Sequence, residues 1–190
     1  IQKVHELQDQ IKIVAASDAP FVLPDYDKAS YEATLKALLE LSKGMAGTAG
    51  AFGSKTEVKP VDFLLGTAAG WGGLPVKEAL YVNVDPGLPV GEYELIVKDV
   101  PVSGFWSISL YNKEGYFQKN DLNSYSLNDL TAKKSADGSY TIRFGGCTQS
   151  TENCLPIMDG WNYLVRLYEP HAEIIDGKWK FPGPPQPVKD

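Results

Sequence analysis

After Pro75 the spacing of apolar side chains changes from about 3.6 residues to about 2, and this change constrains the fold more than any other feature of the chain. Tyr93, Leu95 and Val97 alternate with Glu92, Glu94 and Ile96, and Trp106, Ile108 and Leu110 alternate with Ser107 and Ser109. Tyr140, Ile142 and Phe144 alternate with Thr141 and Arg143, and Tyr163, Val165 and Leu167 with Asn162 and Arg166. A period of two sends successive side chains to opposite faces of a pleated strand, so each segment predicts a half-buried strand. Asp137-Gly138 and Asp176-Gly177 read as hairpin-type turns, because glycine accepts the positive φ that tight turns demand. Short strands at this spacing, without helical crossovers, predict an antiparallel β-sandwich or jelly roll rather than a parallel sheet.

The first 74 residues follow a different pattern. Val4, Leu7 and Ile11 are spaced as in an arm or short helix that ends by Pro20. From Asp27 to Lys43 the pattern is an amphipathic helix: Asp27 can cap it, Tyr31, Leu35, Leu38 and Leu39 share a face, and Gly44 offers a left-handed stop. Pro60 opens a second short helix over VDFLLGTAAG, ended by Gly70-Trp71-Gly72-Gly73, a corner whose glycines let Trp71 pack. The last residues, FPGPPQPVKD, read as an extended tail laid over the surface. A helix with one apolar face needs a surface to cover, which predicts one domain over 1–190: an arm and helices (1–74) packed on a sandwich (75–190).

A chain of 190 residues buries roughly 70% of the surface its unfolded form exposes, so folding needs no metal. The formal net charge of −6 and the absence of a long Lys/Arg run argue against a nucleic-acid partner. Apolar runs fall well short of the ~20 residues a membrane span requires. Cys147 and Cys154, at the two ends of CTQSTENC, are spaced so that a disulfide or free thiols are both open; without nearby His they make a poor zinc site. A disulfide here would contribute roughly 2.5 kcal/mol and imply an oxidising compartment, periplasmic or secreted. The first residue, Ile1, fits a removed signal peptide and a trimmed chain equally well.

The stretches GWGGLPVKEALYVNV, GFWSISLYNKEGYFQKNDLNSYSLN, ADGSYTIRFGG, CLPIMDGWNYLVRLYEP and IIDGKWKFP resemble the domain of unknown function 1214 (DUF1214) family. The resemblance runs from about Gly70 to Val188 and rests on a WS-x-x-x-Y strand, an asparagine-rich loop, an LP turn and an RLY-x-P strand end in that order. It implies a β-sandwich, a bacterial or fungal origin and frequent placement after a larger domain of unknown function (DUF1254). Here only about 70 mostly helical residues precede the similar part. The resemblance implies no established activity.

Only His5 and His171 could serve a Ser or Cys nucleophile, and both fall in segments the sequence does not anchor. None of the GxSxG, GxxxxGK[ST], HExxH or CxxC motifs occurs. Asp137 and Asp159 are explained by turns, which leaves Asp121 the least explained loop acid; Asp121 to Tyr125 lacks the glycine and glutamate of a calcium loop. The most suggestive set is aromatic and polar: Tyr111, Asn120, Asp121, Asn123, Tyr125, Arg166 and Tyr168, with Trp106 and Tyr116 nearby. Flat rings with amide and guanidinium donors suit a sugar or small carboxylate. The competing structural reading puts Trp106 in the core and pairs Arg166 with an acid across the sheet. The leading expectation is a cofactor-independent, extracytoplasmic module binding a small polar molecule or glycan. Its alternatives are a hydrolase or lyase using Asp121 with Arg166 or Tyr111, and a structural or partner-docking domain.

Overall fold

The computed structural model describes residues 2–45, 47–70 and 72–188, and the chain divides into two units, Ile1–Leu35 and Lys36–Asp190. The first unit holds α1 (Gln2–Gln8), an irregular stretch and the start of α2 (Lys28–Ser42). Asp27 caps α2 as expected, its Oδ1 accepting the Ser30 N–H at 3.0 Å. The far end differs: Gly44 does not adopt the left-handed conformation, and its N–H closes a tight turn onto the Leu41 carbonyl at 3.1 Å. No residue of α1 or α2 is buried.

In the second unit, α3 (Pro60–Ala69) begins with its proline where a missing N–H does no harm, and the Gly70 N–H closes it onto the Gly66 carbonyl at 2.9 Å. Gly66 inside this helix is explained by close packing, since a Cβ there would stand 2.7 Å from the Ala51 side chain. Trp71 lies outside the described residues.

The strands are β1 (Ala79–Val84), β2 (Tyr93–Val97), β3 (Trp106–Tyr111), β4 (Ser126–Asn128), β5 (Tyr140–Phe144), β6 (Cys154–Leu155), β7 (Asn162–Tyr168) and β8 (Gln186–Pro187), with a short α4 (Ala172–Ile175) between the last two. They form two four-stranded sheets, ordered β1-β7-β3-β4 and β6-β5-β2-β8. Every pairing is antiparallel except β5 with the two-residue β6. The four alternating segments are the central strands of these sheets. Trp106, Ile108 and Leu110 from β3 and Tyr163, Val165 and Leu167 from β7 share one buried core with Leu95, Val97, Ile142 and Phe144 of the other sheet. Trp106 meets Tyr140 edge-on at 5.2 Å, and Phe144 tilts against Tyr163 at 5.2 Å. Each such burial contributes about 1.5–3 kcal/mol, so the core between the sheets dominates the stability of this unit.

Two expectations need correction. Asp137-Gly138 makes a turn into β5 (Gly138 φ 87°), but Asp176-Gly177 is no hairpin: Gly177, at φ 71°, ends α4 by donating to the Ile174 carbonyl at 3.0 Å. A helix stop and a hairpin turn both need positive φ, so the dipeptide alone does not separate them. The C-terminal stretch is not a surface tail either. Phe181 packs against the core, Pro185 is fully buried, and Gln186 and Pro187 pair with Glu94 and Tyr93 as β8.

Candidate functional site

The alternation that buries Tyr163, Val165 and Leu167 sends Asn162, Leu164, Arg166 and Tyr168 to the outer face of the β1-β7-β3-β4 sheet. In the register Arg166 lies between Tyr81 of β1 and Ser107 of β3. Its Nη1–H donates to Ser109 Oγ at 2.8 Å and its Nη2–H to Tyr111 Oη at 2.9 Å. The cross-strand acid expected as its partner is absent: its neighbours in the register carry hydroxyls, and no ion pair within 4.0 Å forms at Arg166 among the described residues.

Donor count decides what this cluster can do. A guanidinium carries five N–H donors and no acceptor, and two of them are engaged here. Ser109 and Tyr111 both accept from Arg166, and among the described residues neither hydroxyl donates to anything else. Ser109 is buried, so what the cluster offers outward is the remaining Arg166 N–H groups and the Tyr111 O–H, donors that suit carboxylate or hydroxyl oxygens.

Aromatic rings extend from it. Tyr111 stacks on Phe117 with centroids 5.0 Å apart and planes 7° apart, and Phe117 tilts against Tyr125 at 5.6 Å. Phe117 is 53% exposed, so this row offers an open apolar surface beside the donors. Tyr125 is tied to β3 by its carbonyl, which accepts the Leu110 N–H at 2.9 Å. Sequence periodicity could not find Phe117, because it stands in the loop after β3.

The remaining expected residues fall elsewhere. The Asn120 amide closes its own loop: Oδ1 accepts from Leu122 N–H at 3.1 Å and Ser124 N–H at 3.2 Å, while Nδ2 donates to the Ser124 carbonyl at 3.0 Å. Asn123 adopts φ 50° in that loop, with its Oδ1 at 3.5 Å from the Tyr125 hydroxyl. Asp121 is exposed and makes no hydrogen bond to Arg166 or Tyr111. Tyr168 stacks on Phe105 at 4.3 Å, Tyr116 is exposed, and Trp106 is core, as the structural reading had it. The structure thus brings together Tyr111, Tyr125 and Arg166, adds Ser109 and Phe117, and leaves Asn120 as a loop brace.

His171 is better anchored than its sequence suggested. Its backbone N–H donates to the Pro101 carbonyl at 2.9 Å, it stands at the N-cap of α4, and its Nε2 lies 3.0 Å from Ser103 Oγ. Both side chains are exposed, and among the described residues no carboxylate hydrogen-bonds the imidazole, so the third member that orients a catalytic base is missing. Cys147 and Cys154 form a disulfide with Cα atoms 5.6 Å apart. No helix among the described residues is long and apolar enough to cross a membrane.

A family model described as a protein of unknown function (DUF1214) matches residues 89–172. No curated protein matches the chain. Among solved structures it is similar to the VPA0106 protein from Vibrio parahaemolyticus, with 27% identity and a TM-score of 0.64 over 86% of this chain and 46% of that one. An uncharacterised protein from Burkholderia cenocepacia matches at 19% identity and a TM-score of 0.39, over 77% of this chain and 39% of that one. The chain therefore spans less than half the length of either solved protein.

Proposed function

With residues 89–172 belonging to the DUF1214 family, whose function is unknown, we propose that the chain binds a small, acceptor-rich molecule, an acidic sugar or similar small carboxylate, on the outer face of the Arg166 sheet. One observation carries this reading: Arg166 donates only to two hydroxyls, each of which keeps its own O–H, and no carboxylate among the described residues neutralises it. A bound carboxylate would take the remaining N–H groups in a forked pair, while the open face of Phe117 supports a sugar ring or apolar body. Tyr111, Phe117, Tyr125 and Arg166 are the binding residues of this reading, with the buried Ser109 bracing the guanidinium and Asn120 holding the adjoining loop. A hydrolase or lyase built on Asp121 is less favoured, since that acid bonds neither Arg166 nor Tyr111. We place the protein outside the cytoplasm, periplasmic or secreted, on the support of the Cys147–Cys154 disulfide.

The test is a panel of uronic acids, neutral sugars and simple carboxylates read by tryptophan fluorescence and by melting temperature. Uronic acids are expected to saturate and to raise Tm. Arg166→Gln should weaken them by about tenfold or more, the loss of a charge-assisted pair, with Tyr111→Phe losing less. A panel in which no compound moves either signal, or equal affinity in Arg166→Gln, would sink the reading.

A further inference from the structure

A cavity opens on the other sheet. Thr141 and Arg143 alternate with the buried Ile142, so they stand on the outer face of β5, and the cavity beside them, of about 200 Å³, is walled also by Lys133, Lys134, Glu152 and Asn153. Three cations against one carboxylate leave two net positive charges in its lining.

The walls are fixed by one residue. Asn153 accepts the Lys133 N–H on its Oδ1 at 2.7 Å, donates from Nδ2 to the Lys133 carbonyl at 2.8 Å and the Thr141 carbonyl at 3.2 Å, and takes the Arg143 N–H on its own carbonyl at 2.9 Å. Three separate segments are thereby clamped around the opening, so its shape is built before any ligand arrives. Lys133 is paired to Glu152, and Lys134 lies over the Tyr140 ring at 5.1 Å. Arg143 has no ion pair within 4.0 Å among the described residues, although Glu94 faces it in the β2–β5 register.

From this we infer that the cavity is a binding site for a tetrahedral dianion, a phosphate or sulfate group carried by a small molecule or free in solution. The excess of two positive charges matches a dianion better than a monocarboxylate, and Arg143 offers the fork that phosphate oxygens accept. A volume below the roughly 300 Å³ at which pockets for drug-sized ligands begin limits the occupant to a single such group. The inference stands apart from the Arg166 reading, since no residue is shared.

Isothermal titration of the full chain at low ionic strength with inorganic phosphate, sulfate, glucose 6-phosphate and acetate tests it. Phosphate and sulfate are expected to saturate and to weaken as salt rises, with acetate clearly weaker. The double variant Lys134→Gln, Arg143→Gln, both exposed and off the core, should bind phosphate about tenfold or more weakly, while Arg166→Gln keeps the original affinity. Glucose 6-phosphate binding as tightly as phosphate assigns the site to esterified groups, and its exclusion to the free ion. The inference falls if neither dianion saturates, if the double variant binds as the parent does, or if phosphate binding is lost in Arg166→Gln instead.

Discussion

The Tyr163 hydroxyl is buried in the core with no hydrogen-bond partner among the described residues, and burial pushes its pKa up to about 12. Below about pH 10 the folded and unfolded chains both hold this proton, and it contributes no pH dependence. Between about pH 10 and about pH 12 only the folded chain holds it, so stability falls as pH rises. Tyr163→Phe removes a polar atom that the fold leaves unmet; denaturant titration should find it as stable or about 1 kcal/mol more stable, with a flatter alkaline loss. A loss above about 2 kcal/mol would mean that the hydroxyl has a bonding partner after all. Glu57 behaves in the opposite sense. Bonds from the Ser54 hydroxyl and N–H, with Lys77 nearby, hold its pKa near about 2, so its turn is supported above the ordinary carboxylate range and released only as pH falls toward that value. At this scale the site was half legible. Strand alternation fixes that Arg166 and Tyr111 each leave their own strand on the side opposite its core-facing residues, but that the two strands pair in one sheet is shown by the structure alone. Asn120 could not be resolved, since a loop asparagine binds a ligand or its own backbone with the same amide, and Ser103 and His171 meet across 68 residues of chain with no local pattern to announce it.

Among the elements, the 147–154 loop joins the strand ladder to the clamp of the β5 cavity, because Asn153 and Cys154 are neighbours and β6 begins at that cysteine. Closing so short a loop restricts the unfolded chain modestly. Replacing both cysteines by serine should therefore cost about 2.5 kcal/mol in a chemical denaturation experiment, and a cost near zero would show that the Gly145 N–H to Leu155 and Arg143 N–H to Asn153 bonds hold the loop unaided. The same loop explains what periodicity missed. The β2, β3, β5 and β7 strands run five residues or more with one face in the core, long enough for alternation to register. With two or three residues, β4, β6 and β8 carry no period to read, and their pairing is set by what anchors them: the disulfide beside β6, the buried Pro185 before β8. That is why the parallel β5–β6 pair and the conversion of the proline-rich end into an edge strand came from the structure alone.

At the scale of the whole molecule, every buried residue among those described belongs to the second unit, while Ile13, Val14, Phe21 and Val22 of the first are more than four-fifths exposed. A unit of this length is below the size at which a chain can bury enough surface to fold alone, roughly 40 residues, and isolated helices as short as α1 are marginal in water. The α2 helix runs across the boundary between the two units, so the first continues covalently into the second without a break in secondary structure. On that ground we propose that 1–190 is one cooperative domain, as the amphipathic pattern of 27–43 anticipates. The full chain should unfold in a single transition, with far-ultraviolet circular dichroism and tryptophan fluorescence coinciding. A chain that starts at Lys36 should melt several degrees lower, because an interaction worth even about 1 kcal/mol moves the Tm of a protein this size by about 2–4 °C. If the shortened chain keeps the parent Tm, the sandwich is an independent domain and the first unit an appended segment.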